Sequence, residues 1–270
     1  MQINNLEKFQ SVVKSGQIAK GMVITLNDPA ISELAADAGF DFVWLDMEHS
    51  PFTITDISNH ILALRGTDCA PFVRVPWNEP GIIKVVIDLA PAGIIIPMVN
   101  DADAMRAAVS ACRYPPEGTR GCGLRRAVHY GAKSTEQYFA EARNEPLVIA
   151  QIEHIDAVRN LDEILAVKHL GSICVGPYDL SGSMGKFASP DDPEVGKVID
   201  QVCEKAHRAG VLAGAFAEHY EFWAHRKLNW AALCTDAGAL FRQSRICIEN
   251  LMNAVGKLQD KSLSDIRSGI

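Results

Sequence analysis

Ionisable and polar side chains stand where several short apolar runs of the sequence end. They are Asp46, Glu48 and His49 after the second run, Arg74 at the end of the third, Gln151 and Glu153 at the end of the fifth, and Tyr178 and Asp179 after the sixth. In a barrel of parallel strands, the carboxyl ends of the strands lie on one face, and active sites are built there. We therefore expect these side chains to share one site.

The chemistry that these residue types support is the formation of an enolate next to a carbonyl. Glu153 and Asp179 come from adjacent runs, and two carboxylates suit a hard divalent cation that keeps several waters. Such a cation leaves room for a small 2-oxo acid that binds through its ketone and carboxylate oxygens. Arg74 would stabilise negative charge on the ketone oxygen. His49 would accept a proton, because the ordinary pKa of histidine lies near neutral pH.

Each of these residues, taken alone, also has a structural interpretation. A carboxylate at a strand end can cap the next helix, which is a sound alternative for Asp179, and Arg74 can be half of a structural ion pair. A single histidine such as His49 is more often a hydrogen-bonding surface residue than a catalyst. Gln151 and Glu153 project to the same side of their strand, either into the barrel or outward among helices. The combination favours a site more than any single residue does.

Eight apolar runs would position these side chains. They are Met22–Leu26, Phe42–Leu45, Phe72–Val75, Gly93–Pro97, Leu147–Ile152, Ser172–Val175, Leu212–Phe216 and Trp230–Cys234. Because most of the runs are apolar throughout instead of alternating, they are typical of parallel strands that are covered on both faces.

The stretches between the runs predict helices. The clearest are Ile31–Ala38, Gly81–Leu89, Asp101–Cys112, Pro193–Ala209 and Ala237–Leu258. The alternation predicts an α/β fold, a (β/α)8 TIM barrel in a single domain over residues 1–270. Residues 1–20 would hold an N-terminal helix, 21–235 the barrel and 236–270 a C-terminal helical segment. A doubly wound sheet is the alternative, but no glycine-rich phosphate turn follows the first run.

The composition excludes several classes of protein. The 270 residues carry 26 Lys and Arg against 33 Asp and Glu, a formal net charge of −7, and the sequence has no basic cluster of the kind that binds nucleic acid. Asp88 interrupts the longest apolar stretch, and the first ten residues are polar, so we expect neither a membrane span nor a signal peptide. Seven scattered cysteines without a C-x-x-C pair favour a cytoplasmic location over a disulfide or zinc framework.

Six stretches of the sequence occur in the order found in one family of enzymes. They are Asp37–His49, Val73–Asn78, Pro97–Asn100, Arg113–Gly121, Gln151–Glu153 and Val175–Ser181. From about Gly21 to Leu251 the chain resembles the class II, metal-dependent pyruvate aldolases of the HpcH/HpaI type, which include 4-hydroxy-2-oxoheptanedioate and 2-dehydro-3-deoxyglucarate aldolases. The resemblance implies a phosphoenolpyruvate/pyruvate-type barrel. It also implies a carbon–carbon lyase that reversibly cleaves a 4-hydroxy-2-oxo acid to pyruvate and an aldehyde, through a metal-stabilised pyruvate enolate.

The resemblance implies catalytic roles for three residues. His49 would be the proton acceptor and Arg74 the group that stabilises the transition state. Asp88 matches the aspartate that raises the basicity of the histidine, although Asp46 is nearer in sequence, and the choice between the two stays open. Asp46 and Glu48 are candidate supporting residues.

The resemblance also implies binding roles. Glu153 and Asp179 would bind Mg²⁺, Mn²⁺ or Co²⁺, and no organic cofactor is expected. Gln151, Tyr178 and Asp179 would contact pyruvate. Tyr178 replaces the small residue that is common at this position, so it would either narrow the pocket or contribute only its backbone amide.

The family assembles as homo-oligomers, typically hexamers or trimer-based assemblies, in which neighbouring subunits help to form each site. Arg120 and the loop 121–126 would then contribute to recognition of the aldehyde, and a surface turn is the equal alternative for this loop. The same site chemistry also suits an oxaloacetate decarboxylase or a macrophomate synthase-like enzyme. A lyase of CoA thioesters or a non-catalytic barrel that binds a 2-oxo acid fits the residues less well.

Overall fold

The computed structural model shows eight parallel strands that close into one barrel. It describes residues 3–268, apart from the side chains of residue 141 and of residues 258–268. The strands are β1 Ala19–Ile24, β2 Phe42–Asp46, β3 Ala70–Arg74, β4 Gly93–Ile96, β5 Leu147–Ile152, β6 Leu170–Val175, β7 Leu212–Phe216 and β8 Trp230–Thr235. Each strand pairs with the next in parallel, and β8 pairs with β1. The predicted (β/α)8 TIM barrel in a single domain is confirmed.

Helices lie between the strands and at both ends of the chain. They are α1 Leu6–Lys14, α2 Ala30–Asp37, α3 Ile54–Ala63, α4 Pro80–Ile87, α5 Ala102–Cys112, α6 Thr135–Glu141, α7 Ile155–Arg159, α8 Leu161–Leu165, α9 Pro177–Ser183, α10 Pro193–Arg208, α11 Tyr220–Ala224 and α12 Asp236–Ser268. Among the described residues, none of these helices combines the length and the apolarity that crossing a bilayer requires.

Side-chain caps fix the starts of several helices. The Asp101 carboxylate accepts a hydrogen bond from the backbone N–H of Ala104 at 2.7 Å, at the start of α5. At the start of α4, Glu79 caps the helix through the N–H of Ile82, and Pro80 occupies the first turn. The order and position of the helices therefore follow local chemistry.

Large aromatic side chains fill the amino-terminal half of the barrel. Phe42 and Phe72 stack with their ring centroids 5.0 Å apart, and Phe9 of α1 packs edge-on against Phe72 at 4.8 Å, so α1 closes this end. Trp230 requires glycine on the neighbouring strand, because a Cβ atom at Gly214 would lie 1.9 Å from the indole. A filled lower half leaves only the carboxyl-terminal end open for a ligand.

The first strand begins and ends earlier than Met22–Leu26, the range that the apolar pattern predicts. It starts at Ala19, inside the segment assigned to an N-terminal helix, and that helix ends at Lys14. The strand ends before Thr25 because the backbone N–H groups of Thr25 and Leu26 donate to the Asp236 carboxylate, each at 2.9 Å.

Candidate active site

A cavity of about 420 Å³ opens at the carboxyl-terminal end of the barrel. Six of the residues singled out in the sequence line it, namely Asp46, His49, Arg74, Gln151, Tyr178 and Asp179. Glu48 and Glu153 lie directly beside it, bonded to Arg74 and Gln151 respectively. The structure therefore brings together the side chains from the ends of β2, β3, β5 and β6.

Arg74 is the cation at the centre of this group. The parallel register places it opposite Asp46, and its Nε and Nη2 donate to the two oxygens of that carboxylate at 2.9 and 2.7 Å. Its Nη1 lies 2.9 Å from Oε2 of Glu48, and its guanidinium lies over the ring of Trp44 at 5.0 Å. Burial lowers the pKa of Arg74, but the two carboxylates outweigh this effect and leave the pKa raised. The guanidinium is thus held charged and in one position.

Asp46 organises the loop that carries His49. Besides Arg74, its Oδ1 accepts hydrogen bonds from the backbone N–H groups of Glu48 at 3.0 Å and His49 at 3.4 Å. The structure thus connects Asp46 to the backbone of His49. The imidazole itself is 65% exposed, and its Nε2 lies 3.7 Å from Oε2 of Glu48. The carboxylate nearest to the ring therefore belongs to Glu48, for which the sequence implied only a supporting role.

Glu48 has the most perturbed ionisation at the cavity. Desolvation raises its pKa from 4.5 to about 7. Arg74 opposes the shift, whereas the negative charges of Glu153, Asp46 and Asp179 add to it. Four carboxylates thus surround one guanidinium, and the site has a surplus of negative charge.

Glu153 is held by its own strand and by the end of β4. Its Oε1 accepts a hydrogen bond from the backbone N–H of Met98 at 2.6 Å, and its Oε2 accepts one from Nε2 of Gln151. Both side chains therefore project to the same side, as the alternation along the strand predicts. Burial raises the pKa of Glu153. Gly176 is needed beside it, since a Cβ atom there would lie 2.9 Å from Cβ of Glu153.

Asp179 lies on the first turn of α9 and is exposed towards the cavity opening. The helix begins at Gly176 without a side-chain cap, so the capping interpretation of this aspartate is not what the structure shows. Within the described residues, no three acidic, histidine or cysteine side chains are grouped to hold a metal. Asp179 is close enough to Glu153 for its charge to raise the pKa of that carboxyl.

Asp88 and Arg120 lie together at a different place, outside the residues that line the cavity. Asp88 ends α4, and its Oδ1 is 3.7 Å from Nη2 of Arg120. The Arg120 side chain is buried, donates to the carbonyl of Ile87 at 3.1 Å and lies over the ring of Tyr114. Gly123 packs closely on Asp88, because a Cβ atom there would lie 2.3 Å from its Oδ2. Within one chain, Asp88 and Arg120 therefore support the loop 121–126.

Met98, Trp44 and Phe216 lie at or beside the cavity, and sequence reasoning did not single them out. Met98 has a left-handed backbone, with φ of 53°, and its N–H donates to Glu153. Trp44 and Phe216 line the cavity from inside β2 and β7. Their apolar side chains follow the pattern of ordinary core residues. Only their position near the carboxyl end of a strand could have indicated that they line the cavity.

Comparison with known proteins identifies one family of aldolases. The family model described as HpcH/HpaI aldolase/citrate lyase matches residues 20–239. A 5-keto-4-deoxy-D-glucarate aldolase of Escherichia coli is 35% identical over 233 residues, which cover 86% of this chain and 90% of that protein.

Solved structures resemble the whole barrel. An HpcH/HpaI aldolase from Desulfitobacterium hafniense has a TM-score of 0.83 and 27% identity, covering 90% of this chain and 95% of that one. An HpcH/HpaI aldolase/citrate lyase family protein from Burkholderia cenocepacia has a TM-score of 0.85 and 26% identity, covering 91% and 99%.

The closed barrel and the ionisable groups at its open end define the class of (β/α)8-barrel enzymes. The family model and the 35% identical relative narrow this class. The chain belongs to the HpcH/HpaI aldolase/citrate lyase family, as the six ordered motifs predict. It is an enzyme, a lyase of the aldolase type.

Proposed function

We propose that this aldolase reversibly cleaves a 4-hydroxy-2-oxo acid to pyruvate and an aldehyde. The observation that carries the proposal is that Arg74, Asp179 and the exposed imidazole of His49 line one cavity. Glu153 lies beside it, where it accepts a hydrogen bond from Gln151. Positive charge, a cation-binding pair and a proton acceptor are the three requirements of enolate chemistry at a 2-oxo acid.

The residues of the chain divide the reaction between them. His49 accepts the proton of the substrate's 4-hydroxyl group, directly or through water. The C3–C4 bond then breaks as the C4 carbonyl forms, and its electron pair becomes the C2–C3 double bond of the pyruvate enolate. Arg74 stabilises the negative charge on the C2 oxygen, and a proton delivered to C3 completes pyruvate. Gln151 positions the acid beside Arg74 through its amide.

The acidic pair fits a divalent cation, and we assign Glu153 and Asp179 as its ligands. Burial raises the pKa of Glu153, and the charge of Asp179 raises it further, so a cation between the two would relieve both effects. Carboxylate oxygens are the donors that Mg²⁺, Mn²⁺ and Co²⁺ accept with several waters retained. When bound, the cation would polarise the ketone and add positive charge beside the enolate oxygen. The role of Asp88 towards His49 stays a prediction.

Proton exchange at the methyl group of pyruvate tests the enolate site without any aldehyde. We expect the protein in D₂O to exchange these protons with Mg²⁺, Mn²⁺ or Co²⁺ present and to stop when a chelator is added. Glu153→Gln should lower the exchange rate by about 100-fold or more, because the cation loses a charged ligand. The rate is measured by NMR.

The control for this variant is Glu163→Gln, an exposed carboxylate on α8. It should leave the exchange rate unchanged. Exchange that persists in the chelator, or that is equal in Glu153→Gln and the unchanged protein, would overturn the proposed mechanism.

We also propose that the chain works as a homo-oligomer, a hexamer as the family resemblance implies. Helix α12 supports this proposal, because every residue from 240 to 255 is exposed. Its exposed apolar side chains follow helical spacing, namely Phe241, Ile248, Leu251, Met252 and Val255. A contiguous apolar surface of this kind is typical of a protein interface.

A cytoplasmic location completes the proposal. All seven cysteines lie among the described residues and none forms a disulfide, which suits a reducing compartment.

A further inference from the structure

Apolar and aromatic side chains line much of the cavity between its acidic groups. They are Val23 of β1, Trp44 of β2, Val175 of β6 and Phe216 of β7, with Tyr178 at the opening. The first three are buried, and Tyr178 is 53% exposed, so its ring stands at the edge where a ligand would enter. A ligand that fills the cavity beyond the acidic pair therefore meets hydrocarbon and aromatic surface.

The charge around the cavity disfavours an additional carboxylate. Among the lining residues that the structure describes, Arg74 is the cation, and its nitrogens already bind Asp46, Glu48 and Gln151. Pyruvate would take up what remains of the Arg74 charge, and a divalent cation would be held by Glu153 and Asp179. A carboxylate at the far end of the aldehyde would then find no free cation among the lining residues that the structure describes.

The three arginines of the segment 120–126 do not change this balance of charge within the chain. Arg120 is buried against Tyr114. Arg126 is buried and donates to the carbonyl groups of Leu89, Ala90 and Ile3. Arg125 is exposed in the same loop, so it is the arginine that a second subunit could supply as a cation.

The geometry points to an uncharged aldehyde with an apolar far end as the preferred partner of pyruvate. Phe216 is the residue that determines this preference, since it lies inside the barrel at the end of β7, among the residues that line the cavity. The inference rests on the proposed function, because it names the class of aldehyde for the same site.

A matched pair of aldehydes tests the inference. Succinic semialdehyde and 4-methylpentanal have the same length and shape, and they differ in a carboxylate against an isopropyl group. We expect kcat/KM for addition to pyruvate to be at least about tenfold higher with 4-methylpentanal. Phe216→Ala should reduce this ratio by about tenfold, since the apolar contact is lost.

Phe187→Ala is the control, because Phe187 is 82% exposed on the loop after α9 and does not line the cavity. It should keep the ratio of the unchanged protein. A ratio that favours succinic semialdehyde, or one that Phe216→Ala does not alter, would overturn the inference. Loss of activity with succinic semialdehyde in Arg125→Ala would also overturn it, since a second subunit would then supply the missing cation.

Exchange of pyruvate protons, measured in the same samples, separates the two proposals. If pyruvate protons exchange but 4-methylpentanal is not preferred, only the inference about the class of aldehyde is overturned. Absence of exchange with every cation would overturn the proposed function, and with it this inference.

Discussion

At the scale of single residues, the cavity depends on a balance of charge instead of on one catalytic group. Arg74 binds Asp46 through two hydrogen bonds and Glu48 through a third contact, so its position is fixed before any ligand arrives. Such preorganised charge is an effective way to stabilise an enolate. The cost is that Glu48 lies in a partly desolvated place, where burial raises the pKa of its carboxyl to about 7.

The raised pKa of Glu48 predicts a pH-dependent loss of stability. In the folded protein this carboxyl keeps its proton up to about pH 7, whereas in the unfolded chain it loses the proton near 4.5. The contribution of Glu48 to the free energy of unfolding is therefore fully present below pH 4.5, and it is lost as the pH rises through about 7. Glu48→Gln should avoid this loss and gain on the order of 1 kcal/mol relative to the unchanged protein, because the carboxylate is partly solvated.

The measurement is the difference in Tm between Glu48→Gln and the unchanged protein at pH 5 and pH 8, with a chelator present. The difference should move in favour of the variant at pH 8. Glu33→Gln, an exposed carboxylate on α2, serves as the control and should give parallel curves. Parallel curves for Glu48→Gln as well would contradict the assigned pKa.

At the scale of elements, the junction between β8 and β1 closes the barrel and begins α12. The Asp236 carboxylate accepts hydrogen bonds from the N–H groups of Thr25 and Leu26, from Oγ1 of Thr25 and from the N–H of Ala237. One buried side chain thus ends the first strand and joins the two ends of the barrel, while Oγ1 of Thr235 caps α12 by accepting from the N–H of Gly238.

Asp236→Ala should lower the free energy of unfolding by about 2–4 kcal/mol, because four donors in partly buried hydrogen bonds lose their acceptor at once. Chemical denaturation measures the change. Asp68→Ala removes an exposed carboxylate that pairs with Lys8 at 3.4 Å, and it should cost less than about 1 kcal/mol. A similar small effect for Asp236→Ala would show that water replaces the carboxylate at the junction.

At the scale of the whole molecule, α12 does not behave as a covering helix of a barrel. It contacts β1 and β8 near its start, and then extends with its residues exposed on every side. Most helical stability in proteins comes from packing of an apolar face, so the exposed apolar stripe along α12 favours the proposed assembly.

Replacing Ile248 and Leu251 by Glu should reduce the mass of the assembly in solution, because two charges would be buried at the proposed interface. Sedimentation velocity measures the mass. Glu249→Gln, between the two positions, should leave the mass unchanged. An unchanged mass in the double variant would place the interface elsewhere, and a monomeric unchanged protein would refute the proposed assembly.

The sequence by itself was sufficient for the order of elements and for most residues at the cavity. Parallel strands that are buried on both faces read as apolar runs, and the residue after each run must lie at the open end, so the positions of Arg74, Gln151 and Asp179 followed from local patterns.

Only the tertiary structure decided which groups touch. The pairing of Asp46 with Arg74 depends on the register between β2 and β3, and the hydrogen bond from Met98 to Glu153 depends on a left-handed residue beyond β4. The early end of β1 depends on Asp236, which lies 211 residues away from Thr25. Such contacts join distant parts of the chain, and local residue patterns carry no information about distances across a closed barrel.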